Sequence, residues 1–184
     1  MELSVRNLNS DKWLKRKIIS CIALLDDEYK NLDFTVNFYD KREKLQKERD
    51  NKPDLKADTY EQILTGKKEI AGLTIGEKGK IKIFLFKFGN VKSNPKEVIS
   101  LIANIFHEIR HAWQYNNGVF QDEDEISFID GNLEAYYSQP SEKDAYLFQE
   151  EQMKKHGKKV LEIFGFDIGL KYELQDEVKA AISS

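Results

Sequence analysis

The chain has 184 residues, a length that suits one domain, residues 1–184, with a full hydrophobic core. Its 40% apolar and 33% charged residues fit a soluble globular protein, and a net charge of −3 with both signs interspersed argues against a dedicated nucleic-acid surface. One cysteine excludes an internal disulfide framework, and the absence of an apolar signal region at residues 1–6 or of any long apolar run leads us to expect a cytoplasmic protein with no membrane partner.

Residues 10–29 read as an amphipathic helix whose apolar face is Leu14, Ile18, Cys21, Ile22, Leu25 and Tyr29. Cys21 reads there as a small core residue. Residues 33–39 read as a strand, with Phe34, Val36 and Phe38 alternating against Thr35, Asn37 and Tyr39. The densely charged stretch 41–55 predicts a solvated helix followed by a loop at Pro53. A short helix follows over 59–64, ended by Gly66. Residues 69–75 and 80–88 read as two strands joined as a hairpin by Gly76-Glu77-Lys78-Gly79.

Asn94-Pro95 is a helix start signal, since Asn can cap and proline tolerates the first helical position. Val98, Leu101, Ile102, Ile105, Ile109 and Ala112 then recur at helical spacing, widened by Ile99, Phe106 and Trp113, and Asn116-Asn117-Gly118 supplies a stop. The less apolar side gathers Ser100, Asn104, His107, Glu108, His111 and Tyr115. Within it, His107-Glu108-Ile109-Arg110-His111 reads H-E-x-x-H and uses two of the three histidines of the chain. On a helix, i and i+4 lie on one face, so two imidazoles so placed can bind one zinc ion, and the glutamate beside the first can act as general base toward a water at the metal. Arg110 lies off that face, and a structural ion pair is its expected role.

A catalytic zinc site needs a third protein ligand. The longer H-E-x-x-H-x-x-G-x-x-H pattern fails, because Gln114 and Asn117 stand where it requires Gly and His. His156, within Lys154-Lys155-His156-Gly157-Lys158-Lys159, reads as a surface residue. The acidic run Gln121-Asp122-Glu123-Asp124-Glu125 reads as a solvated loop. A second helix is expected over 140–153, with Ser141 as N-cap and Ser141 with Asp144 as a capping box, S-x-x-D. Glu142 there reads as a first-turn acid favoured by the helix dipole.

His107-Glu108-x-x-His111, followed after thirty intervening residues by Glu142-x-x-Ala145, resembles the gluzincin arrangement of zinc metallopeptidases. The E-x-x-A-x-x-F form of Glu142, Ala145 and Phe148 is most similar to the small ImmA/IrrE-type peptidases, and the resemblance covers roughly residues 80–155. It implies an α+β, zincin-like single domain: a small mixed sheet, an active-site helix and a following ligand helix. It implies Zn2+ as cofactor, held by His107, His111 and Glu142, with Asp144 as the alternative third ligand, Glu108 as general base and a peptide or protein as substrate. It further implies that the 80–88 strand borders the cleft, where an extended peptide can add to its edge. Tyr136, Tyr137 and Tyr146 are candidate oxyanion donors. Many gluzincins carry Asp four residues after the ligand glutamate, to orient a zinc histidine; here that position is Tyr146. Asn104, Asp144 or a backbone carbonyl is then expected to take that role. Two rival functions share the motif: a non-catalytic zinc-binding regulator of the same fold, and a zinc amidohydrolase acting on a non-protein amide.

Overall fold

The structure is a computed structural model, and it describes residues 3–8, 11–66, 70–123, 132–169 and 171–183. Among these are four strands, β1 (Ser4–Arg6), β2 (Thr35–Tyr39), β3 (Gly72–Ile75) and β4 (Lys80–Phe84). The eight helices are α1 (Lys12–Ile22), α2 (Asp27–Lys30), α3 (Arg42–Asn51), α4 (Ala57–Thr65), α5 (Pro95–Asn116), α6 (Leu133–Tyr137), α7 (Pro140–Phe164) and α8 (Asp176–Ser183). The domain is thus α+β with a mixed four-stranded sheet. None of the described helices is long and apolar enough to cross a membrane.

The sheet runs β1-β2-β4-β3. β1 pairs with β2 and β2 with β4 in parallel, while β3 pairs with β4 antiparallel. This corrects the expectation for the 80–88 strand. β4 lies inside the sheet, with Val36 beside Ile81 on one flank and Thr74 beside Ile81 on the other, and it ends at Phe84, where residues 85–87 form a 3₁₀ turn. Among the described strands, the edge of the sheet beside α5 is β3. Glu69, expected to begin that strand, lies outside the described residues.

Both faces of the sheet are covered. Val36, Phe38, Ile81 and Ile83 turn toward the main core, which α1, α5 and α7 complete with Ile18, Cys21, Ile102, Phe106, Ile109, Val160 and Leu161. Tyr39 and Phe84 turn to the other side, where Leu45 of α3 and Tyr60 and Ile63 of α4 make a second apolar cluster. Tyr39 is therefore buried, although strict alternation places it on a polar face.

Lys82 lies on this second face and is fully buried. Its ammonium donates to Tyr39 Oη at 2.9 Å and to Glu48 Oε1 at 2.5 Å, and lies 3.2 Å from Asp54 Oδ2. The charged stretch 41–55 is accordingly not just a solvated face. Leu45 and Glu48 point inward, because a buried ammonium needs paired carboxylates.

The helix expected over 10–29 is broken: α1 ends at Ile22 and α2 starts anew after Asp26, whose backbone is extended at ψ 160°. Asp27 and Glu28 favour a fresh N-terminus there, where the helix dipole attracts acids. Ser10 lies outside the described residues; Asp11 caps α1 by accepting from the Leu14 amide at 2.9 Å. α4 runs slightly beyond its expected bounds and ends at Gly66 with φ +76°, a left-handed cap that glycine adopts without strain. α5 starts as expected, with Asn94 accepting from the Lys96 amide. α7 is longer than expected and stops at Gly165, φ +94°. Helices α5 and α7 pack against each other more extensively than any other pair of elements.

Candidate metal centre

The polar seam of α5 faces the first turn of α7. His107 and His111 stand one turn apart, with their Nε2 atoms 3.0 Å from each other. Pro140 opens α7, and Glu142 in its first turn reaches between the two rings: Oε2 is 3.3 Å from His107 Nε2 and Oε1 is 3.2 Å from His111 Nε2. His107 and Glu142 are buried and His111 nearly so. The three residues form a group that could hold a metal ion, each offering one ligand atom, all within 4.8 Å of one another.

Zinc at about 2.0–2.1 Å from tetrahedral N and O ligands separates those ligands by roughly 3.3 Å. The observed spacings of 3.0–3.3 Å fit that geometry. Glu142 Oε2 is a buried acceptor with no hydrogen-bond partner among the described residues, an arrangement that a cation would satisfy.

Burial alone would raise the Glu142 carboxyl, but the His111 charge and the facing imidazoles outweigh it and hold this group far below the usual carboxylate range. Burial would lower the His111 imidazole, but the adjoining Glu142 carboxylate prevails and holds it at about 9. The pocket therefore favours one negative charge facing the ring nitrogens. Glu108 behaves in the opposite way: burial raises its carboxyl, and the histidines and the Thr74 hydroxyl offset this only in part. Its carboxylate lies on the β3 side, accepting from Thr74 Oγ1 at 2.8 Å. Glu108 is thus brought to the centre without joining the three ligand atoms.

Several expectations about the surroundings need correction. The N-cap of α7 is Gln139, not Ser141. Proline at the first helical position fixes the start two residues earlier than a capping box at Ser141 requires. The Ser141 amide and hydroxyl instead both donate to the Glu123 carboxylate at 3.0 Å. Glu123 is therefore a local anchor rather than part of a solvated run; Asp124 and Glu125 lie outside the described residues. Asp144 turns away from Ser141 and accepts from Arg110 Nε at 2.7 Å and Nη2 at 3.0 Å. The structural ion pair expected of Arg110 is present, and its guanidinium lies 4.0 Å from the Trp113 ring centroid.

Of the three tyrosines, Tyr136 brings its hydroxyl to the ligand group, donating to Glu142 Oε1 at 2.6 Å. Tyr146 packs its ring 4.4 Å from that of His107, and Tyr137 packs on Tyr146. His156 lies on α7, fourteen residues or about 21 Å of helix beyond Glu142, and takes no part. Cys21 is a fully buried core residue as expected. Asn104 does not serve His107: Asn104 Oδ1 and His107 Nδ1 are both buried without a hydrogen-bond partner among the described residues.

The sequence reading missed Gln114 and Thr74. Gln114 Oε1 lies 2.8 Å from His111 Nδ1. Its spacing of three from His111 places the two side chains on one face and was the available signal. Thr74 has no local signal, since its role depends on β3 lying against α5. No protein-family model, curated protein or solved structure matches the chain.

Proposed function

We propose that the protein is a zinc-dependent peptidase of zincin-like fold in the gluzincin arrangement, with His107, His111 and Glu142 as the metal ligands. What carries the reading is the meeting of a two-helix ligand set with a separate buried carboxylate, Glu108, on the side of the sheet edge at β3. Bound there, zinc supplies Lewis acidity, acidifying a water molecule and polarising a carbonyl.

Glu108 does the proton work. Its carboxyl is raised by burial, which brings its basicity closer to that needed at neutral pH. It accepts the proton of the attacking water and passes it to the departing amine. Thr74 and Gly72 hold it from the β3 side. The edge of β3 takes over the part first expected of the 80–88 strand: its backbone groups facing away from β4, which no other described strand pairs, would take an extended peptide through main-chain hydrogen bonds. Tyr136, whose hydroxyl donates to Glu142 Oε1, is the candidate donor for charge developing on the substrate oxygen, a role that requires its hydrogen to leave Glu142 when the site is loaded.

One observation favours a second reading, a non-catalytic metal-binding regulator. The ligand carboxylate is held by Tyr136 and little of the triad meets solvent. Glu108→Gln separates the two. It preserves size and most hydrogen bonding but removes the base, so the variant should keep zinc and melting temperature while hydrolysis of a generic peptide falls on the order of a hundredfold to ten-thousandfold. Turnover at the wild-type rate in this variant removes Glu108 from the mechanism. Stoichiometric zinc with no hydrolysis by the wild type favours the regulator.

A further inference from the structure

We infer that Gln114 is the positioning residue of the metal centre, orienting His111 through a chain that runs Arg110–Asp144–Gln114–His111. The inference rests on the metal reading above and deepens it, because it replaces the aspartate that the gluzincin arrangement carries where this chain has Tyr146.

The donors and acceptors around Gln114 fix the direction of the chain. Gln114 Nε2 lies 2.9 Å from the Ser141 carbonyl oxygen and 2.7 Å from Asp144 Oδ2. A carbonyl and a carboxylate only accept, so both amide hydrogens of Gln114 are committed to α7. Asp144 cannot turn to release one, because Arg110 grips both of its oxygens. The amide oxygen of Gln114 must then face His111 Nδ1, 2.8 Å away, and that nitrogen must carry the hydrogen. In the neutral ring the lone pair then falls on Nε2, the atom that faces His107 and Glu142. An amide that cannot flip thus sets which His111 nitrogen can bind a metal. His107 has no such device, since its Nδ1 is unpartnered among the described residues. The two histidines are therefore unequal, with His111 pre-oriented and His107 held by its packing on Tyr146.

The test uses the full chain, zinc as probe, competition with a chromophoric chelator, and nitrogen-15-labelled histidine read by NMR. Wild type should show a His111 Nδ1–H signal protected from solvent exchange. Gln114→Leu should lose that protection and weaken zinc binding about tenfold to a hundredfold, as expected for loss of a partner behind a metal-binding histidine. Gln114→Glu sets two carboxylates against each other and should also bind weakly. Gln114→Met, which keeps the length without a hydrogen-bonding amide, should behave as Gln114→Leu does and separates the lost hydrogen bond from lost bulk. Zinc binding and Nδ1–H protection both unchanged in Gln114→Leu or in Gln114→Met, with the variant melting as wild type does, would overturn the inference. If wild type binds no zinc, the metal reading falls, and the Nδ1–H signal alone decides: protected in wild type and lost in Gln114→Leu upholds the chain, and unchanged in both refutes it.

Discussion

Gly72 of β3 and Glu108 of α5 approach so closely that a β-carbon built on Gly72 would stand 2.7 Å from Glu108 Oε1 and 2.8 Å from Glu108 Cγ. Asn104 Oδ1 would stand equally close at 2.7 Å, and Thr74 two residues along holds the same carboxylate, so a methyl here forces a neighbour to shift. The glycine is required by proximity rather than by its backbone angles. Gly72→Ala should displace Glu108 and lower peptide hydrolysis at least tenfold, with zinc content unchanged. Metal analysis and turnover on the same preparation check this, and an alanine variant with wild-type turnover would mean that β3 yields easily.

If the site holds zinc as proposed, removing it should loosen the α5–α7 packing without unfolding the chain, because the main core contains none of the three ligands. A ligand at a hundred times its Kd contributes about 2.7 kcal/mol. For a chain of this size that corresponds to a fall in Tm of roughly 5–10 °C on chelation. Superimposable melting curves, with metal loss verified, would contradict it.

The buried Lys82 cluster should govern acid stability. Burial alone would raise the Asp54 carboxyl, but Lys80 and Lys82 beside it prevail and hold it down at about 2. Lys78, Lys80 and Lys82 all face this carboxylate. A carboxyl whose folded-state pKa lies below its unfolded value of about 3.9 stabilises fully above that value and loses its contribution as pH falls toward the folded one. Denaturant unfolding should therefore show stability declining from about pH 4 down to about pH 2. Asp54→Asn should be less stable at neutral pH and flatter through that window, and an unaltered acid limb in this variant would remove Asp54 as its source.

How much of this was legible in the sequence depended on whether the partners were local. The α5 helix could be read because its cap, its apolar stripe and the His107/His111 pair all lie within one continuous segment. Glu142 became a ligand candidate only through resemblance, since its own neighbourhood describes an ordinary first-turn acid. Gln114 was visible by spacing, but the Asp144 and Ser141 contacts that define its role come from another helix. The interior place of β4 and the inward turn of Glu48 escaped for the same reason. A strand's rank in a sheet depends on which strands flank it, and nothing near Glu48 announces that Lys82 lies opposite.

Gly157 in the interior of α7 offers the opposite case to Gly72. A β-carbon there would meet Ile99 Cδ1 at 3.9 Å and Met153 Cε at 4.0 Å, ordinary contact distances. Glycine inside a helix costs about 0.5–1 kcal/mol relative to alanine. Gly157→Ala should stabilise the protein by about that amount, measured by denaturant unfolding. A loss of stability would show that α5 and α7 tolerate no added methyl.

The separation of partners along the chain has a consequence for biosynthesis. Asp144 is 30 residues downstream of Gln114 and 34 downstream of Arg110. A ribosome therefore delivers the histidines, the amide and the guanidinium well before the carboxylates that pair with them. Until α7 arrives, Thr74 can hold Glu108, but the histidines and Gln114 lack the partners that α7 supplies. A nascent chain halted between the two helices holds its histidine pair but lacks both Glu142 and the carboxylate that locks Gln114. On the proposed reading, metal captured at that stage would have two ligands on one helix, so tight loading would wait for the docking of α7 and become a late event in the maturation of the protein.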